Sequence, residues 1–243
     1  MSVGAALYVA ICIASVAVIG LRLTQWKNHP RTRPLTSALI LLLGGLLLRR
    51  PEILDDQWLD THTDRTLHLA NWSNVLSDLL LAGAAAYICV QVARVWGNHH
   101  WQKPIAVAFV VDAIALIVLW QVSDASRVPT RFIASLGGLS GVYSAVSAAT
   151  ILVANLAVLI SLALAKGVPT RAKIALAPMA LGGLVGVVNG GLRIACAIDP
   201  DRFLSTRNHW AWSLAEVGVA LYILSGFVSY LAQSRLPELV EAD

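Results

Sequence analysis

Between Ile174 and Ile198 the chain reads IALAPMALGGLVGVVNGGLRIACAI, a stretch long enough to cross a bilayer that nonetheless carries an arginine. A spanning helix needs roughly 20 apolar residues to cover ~30 Å of hydrocarbon. Gly182, Gly186 and Gly190 recur every fourth residue, so on a helix they form one nearly smooth face against which another helix can pack closely. Asn189 and Arg193 sit on or beside that face. A guanidinium in hydrocarbon costs at least ~2.5 kcal/mol, so Arg193 is expected to look inward and find a partner. This helix is expected to be the hub of a transmembrane bundle, with Arg193 anchoring its polar interior.

The rest of the chain fits that frame. Of 243 residues, 57% are hydrophobic and 13% charged, and the mean hydropathy of +0.70 is too high for a soluble domain. A β-barrel would show short alternating segments, whereas the apolar runs here approach or exceed helix-spanning length. Seven spans are expected, at about 3–20, 35–50, 74–95, 104–121, 142–165, 174–198 and 210–231. The fold class is therefore all-α, a polytopic membrane bundle over 1–232 followed by a short tail, 233–243, too small to be an effector domain. The first run has no basic region ahead of it and no clear cleavage site, so it reads as a retained helix.

Basic residues set the expected orientation. Arg22, Lys27, Arg31 and Arg33, then Arg94 and Lys103, then Lys166, Arg171 and Lys173 fall in alternate connections that hold no acid. With Arg235 they make ten basic residues on one side against seven on the other, where acids also gather. By the positive-inside rule the amino terminus lies outside and the carboxyl terminus in the cytoplasm, in a cell membrane.

Several intramembrane groups are candidate site residues, because ionisable side chains are rare at that depth. Asp112 lies near the centre of the fourth span. Asp78 and Glu216 enter from the outer side, and Arg193 lies at the outer end of the sixth span, so these three are expected at one depth. With Asn189 nearby, such a cluster either fixes helix register as a buried ion-pair network or holds a proton, cation or amine. The second span is short and is followed at once by Arg49, Arg50 and Pro51. The arginines are expected to snorkel to the outer headgroups; the alternative is that the helix stops early and they turn inward to meet acids. The fifth span, rich in small residues such as Ala148 and Ala154 and carrying Asn155, can approach the glycine face of the sixth.

Other chemistries are disfavoured. Asp55, Asp56, Asp60, His62, Asp64 and His68 share one connection but match no established metal spacing, so a solvated acidic loop is expected there. The histidines His99 and His100 are adjacent and do not project together as HExxH would. No lysine follows Lys173, which excludes a retinal Schiff base in the last span. The GLSG at Gly138–Gly141 lacks the partners that an intramembrane serine protease needs. Cys12, Cys89 and Cys196 lie in separate apolar segments and read as unreactive core thiols. No catalytic set, metal site, cofactor or nucleic-acid partner is expected. The functional expectation is a sensor-like binding or regulatory module acting through a membrane or cytosolic protein partner. The alternatives are a small proton-coupled transporter using Asp112 and a lipid-modifying membrane enzyme.

The run RTRPLTSALILLLGGLLLRRPEILDDQW, a polar stretch, and then HLANWSNVLSDLLLAGAAAYICVQVARVW together resemble the front part of actinobacterial integral membrane proteins of uncharacterised function with seven amino-terminal helices. The resemblance implies a second and third helix joined by a loop with a helix-ending proline, here Pro51, and a conspicuous asparagine, here Asn71 or Asn74.

Overall fold

The computed structural model describes residues 3–28, 30, 33–49, 70–130, 132–164 and 170–234. Among them the structure is all-helical: α1 (Val3–Thr24), α2 (Arg33–Leu48), α3 (Trp72–Val95), α4 (Gln102–Val122), α5 (Gly138–Leu164), α6 (Thr170–Ile198) and α7 (Pro200–Ser234). Six apolar helical segments are long enough to cross a membrane, which makes this a multi-pass membrane protein; α2, with 16 residues, is shorter. The acidic connection, Pro51, Arg50 and the tail beyond Ser234 lie outside the described residues.

Helices α2, α3, α5, α6 and α7 pack in a closed ring, each against the next and α7 back against α2. α1 lies against α2 and α7, and α4 lies against α3 and α5. This explains why α2 can be short. At 1.5 Å per residue it is about 24 Å long, less than the hydrocarbon thickness, but it is packed between α3 and α7 with α1 beside it rather than facing lipid alone. α4 has the opposite character. Val107, Val110, Val111, Ile114 and Val118 on its outer side are each more than half exposed, a surface that water would penalise and acyl chains accept.

Small residues set the close approaches. A methyl at Gly45 would come 3.0 Å from Leu81, and the Ser77 hydroxyl, one turn before Leu81, donates to the Gly45 carbonyl at 2.9 Å. The glycine face of α6 is shared between two neighbours. Gly182 lies under Tyr222 of α7, whereas Gly186 and Gly190 lie under Asn155 and Leu152 of α5. The expected approach of α5 to that face is present, and α6 makes the two most extensive helix interfaces.

The clearest departure from the expected boundaries is α7, which begins at Pro200 rather than near 210. Asp199 and Pro200 are a helix-start signal: a capping acid followed by an imide that needs no donor. The Asp199 carboxylate accepts from the Arg202 amide at 3.2 Å. One residue therefore separates α6 from α7.

The α4–α5 connection is not a free loop. Two 3₁₀ turns, Asp124–Ser126 and Ile133–Leu136, fold it over the end of the bundle. Asn71, at φ 60, holds it down. Its amide donates to the carbonyls of Ala125 (2.7 Å) and Val128 (2.8 Å) and accepts from the Thr130 amide (2.9 Å). The left-handed backbone suits asparagine better than most residues. Asn71→Gly keeps the backbone and loses the clamp, and is expected to cost roughly 1–3 kcal/mol. Asn71→Ala adds backbone strain and is expected to cost more. Limited proteolysis at Arg127 reads the order, and equal protection in both variants and the parent would show that the clamp is dispensable.

Candidate functional site

The end of the ring under this connection contains a chamber built on one carboxylate. Asp78, on the second turn of α3, is 2% exposed. Its Oδ1 accepts from Arg193 Nη2 of α6 at 3.1 Å and is ion-paired with Arg49 Nη2, and its Oδ2 accepts from the Tyr143 hydroxyl of α5 at 2.9 Å. Arg49 follows the last residue of α2, and its Nε donates to Ser77 at 2.8 Å. The early end of α2 brings that guanidinium onto α3. The expectation of snorkelling is thus corrected for Arg49, which turns inward because a buried acid waits one helix away.

Arg193 looks inward, as its cost in hydrocarbon requires. Besides Asp78 it bonds Ser147 at 3.0 Å, yet among the described residues its Nε and Nη1 have no hydrogen-bond partner. A third arginine completes the group. Arg207, on the second turn of α7, is 6% exposed, with its guanidinium carbon 4.7 Å from the centre of the Phe132 ring. Among the described residues its Nη1 reaches only the weak acceptor Cys196 Sγ at 3.8 Å, and its Nε has no partner. Arg49, Arg193 and Arg207 line one cavity of about 40 Å³ with Asp78, Asn74 and Asn189.

This corrects the expected charge of the site. In place of the expected two acids and one arginine, among the described residues the cavity is lined by three arginines and one acid. Glu216 is half-buried on α7, lines neither this cavity nor its neighbour, and makes no ion pair among the described residues. Arg207 takes its place. Asn189 lines the chamber as expected. Asp112 lies elsewhere: its Oδ1 accepts from Thr150 at 2.9 Å in a groove between α3, α4 and α5, and its Oδ2 has no partner among the described residues. That groove shares no lining residue with the arginine chamber.

Arg207, Tyr143 and Ser147 are absent from the sequence-derived site. A span starting at 210 leaves Arg207 in a connection; the Asp199-Pro200 start signal puts it on a helix instead. Tyr143 and Ser147 carry no mark of their own, since their role comes only from the face of α5 that meets α3 and α6.

A second cavity, about 90 Å³, continues from the first toward the middle of the bundle. The two share Arg49, Asn189, Arg193, Trp212 and Ala215. Leu42, Leu46, Leu81 and Val219 make its walls apolar, and the hydrogen bond from Tyr222 to Asn155 Oδ1 (2.8 Å) lies at its deeper part. Trp212 lines both spaces and so faces inward. Among the described residues no group of three or more His, Cys, Asp or Glu is placed to hold a metal ion. Comparisons with protein-family models, curated proteins and solved structures return no match to this chain.

Proposed function

We propose that this protein is a seven-span binding module of a bacterial plasma membrane that takes an anion in the arginine chamber and relays its occupancy to a protein partner. The amino terminus is outside and the carboxyl terminus cytoplasmic, so the chamber opens toward the outer face; the basic connections support that orientation. α2 serves as the seventh span, short because α1, α3 and α7 pack around it. The resemblance to seven-helix actinobacterial membrane proteins belongs to the same reading, with Asn71 as the asparagine it singles out.

The carrying observation is the charge balance among the described residues: the buried guanidiniums of Arg193 and Arg207 and the part-buried one of Arg49 face one carboxylate, and the first two keep N–H donors that no described residue takes up. Positive charge in excess of its counter-charge is costly below the headgroups, and a bound anion offsets that cost. The transporter reading would need Asp112 and the outer cluster to work together, and they line different cavities.

Thermal unfolding in a neutral detergent tests the proposal. Phosphate or sulfate is expected to stabilise the protein, by about 2.7 kcal/mol at a hundredfold excess over Kd, when ionic strength is matched with chloride. Arg207→Gln is expected to abolish the effect while leaving the helix content unchanged. A parent protein that shows no shift with either anion would overturn the reading.

A further inference from the structure

We infer that the ligand is an anionic amphiphile, its head between the arginines and the first few methylenes of one alkyl chain in the adjoining apolar cavity. The inference rests on the anion reading above and adds the second cavity to it. A site for an inorganic anion alone would end at the guanidiniums. Here Arg49, Asn189 and Arg193 line both spaces, so a group held by the arginines already faces the apolar one.

The sizes agree with that division. The apolar space is the larger, about 90 Å³ against about 40 Å³ beside the arginines, which suits a compact head such as a phosphate or carboxylate with the start of a chain next to it. The donors suit the head. Nε and Nη1 of Arg193 and Nε of Arg207, which no described residue takes up, are directional N–H groups that pair with planar or tetrahedral oxyanions. The walls suit the chain, being leucine and valine with glycine gaps at Gly182, Gly186 and Gly218. At Gly218 a methyl group would touch only Val185, at 3.6 Å, so this position tolerates a small side chain.

The same chemistry could be supplied by a water-soluble alkyl phosphate or carboxylate or by a bilayer lipid presenting its phosphate and the start of one chain. Isothermal titration on the full chain in phosphatidylcholine nanodiscs distinguishes these, using inorganic phosphate and then ethyl, butyl and hexyl phosphate. Affinity is expected to rise by roughly fourfold per methylene that enters the cavity. Gly218→Leu is expected to remove the rise with chain length and leave inorganic phosphate binding unchanged; Gly218→Ala is a milder variant should the larger side chain impair folding. Doping the nanodiscs with phosphatidic acid assigns the source. Weakened hexyl phosphate binding supports the proposal with a bilayer lipid as occupant, and unchanged binding supports it with the soluble amphiphile. Equal affinity for inorganic and hexyl phosphate would overturn the inference and keep the anion site, whereas no binding by any member of the series would overturn both.

Discussion

Asp78→Asn is expected to be among the most damaging substitutions in this protein, costing about 3–5 kcal/mol of stability. One carboxylate accepts from guanidiniums on α2 and α6 and from a hydroxyl on α5 while itself belonging to α3, so it ties four helices of the ring at one point. The asparagine amide keeps the shape but removes the only negative charge among these groups, and it leaves three arginines facing one another. Thermal unfolding in detergent measures the loss. Double-mutant cycles assign it: Asp78→Asn should couple strongly with Arg193→Gln and with Arg49→Gln. Glu216→Gln should be additive with Arg193→Gln to within about 0.5 kcal/mol, because no contact joins them. An Asp78→Asn protein as stable as the parent would mean that the ring is held by apolar packing alone.

Gly186→Leu is expected to cost about 3 kcal/mol or more. Even a methyl group at Gly186 would lie 2.3 Å from the Asn155 side chain, and that amide is not free to swing away. It accepts from Tyr222 at 2.8 Å and donates to the Ile151 carbonyl at 2.7 Å. Displacing it leaves buried polar atoms unpaired, at roughly 1–3 kcal/mol, and forcing a larger side chain into the α5–α6 interface adds a similar strain. The smaller Gly186→Ala supplies the control. It should be costly in the parent and nearly neutral in an Asn155→Ala background, where the space has been opened. Equal cost in both backgrounds would show that the clash is with the backbone of α5 and not with the amide.

The hub helix was legible because its signals are local. Glycines every four residues and an arginine that hydrocarbon cannot tolerate describe one helix without reference to any other, and both features point where the sequence says they should. The composition of the chamber was not legible, because it depends on which faces meet. Arg49 could be read as snorkelling or as inward-facing until the end of α2 was known to lie beside Asp78. Glu216 and Arg207 lie on the same helix, and only its rotation decides which of them enters the cavity. An error of ten residues in the start of that helix was enough to hide the answer. The α4–α5 connection was opaque for another reason. Its shape depends on backbone carbonyls meeting a distant asparagine side chain, and those carbonyls are the same in every sequence.

The length of α7 has a mechanical consequence. Its 35 residues make a rod of roughly 52 Å, and the rod is pinned at two places. Near one end Arg207 stands in the arginine chamber; toward the other, the Gly226 carbonyl accepts from Arg22 of α1 at 2.9 Å, and the same guanidinium donates to Thr36 of α2 at 3.1 Å. The two pins are about 28 Å apart along the axis. A tilt of about 5° about the first pin carries the second through roughly 2–3 Å, a distance comparable to the hydrogen bond itself. If a ligand draws in Arg207, a rigid α7 would carry the shift to the junction of α1 and α2 at the other end of the helix.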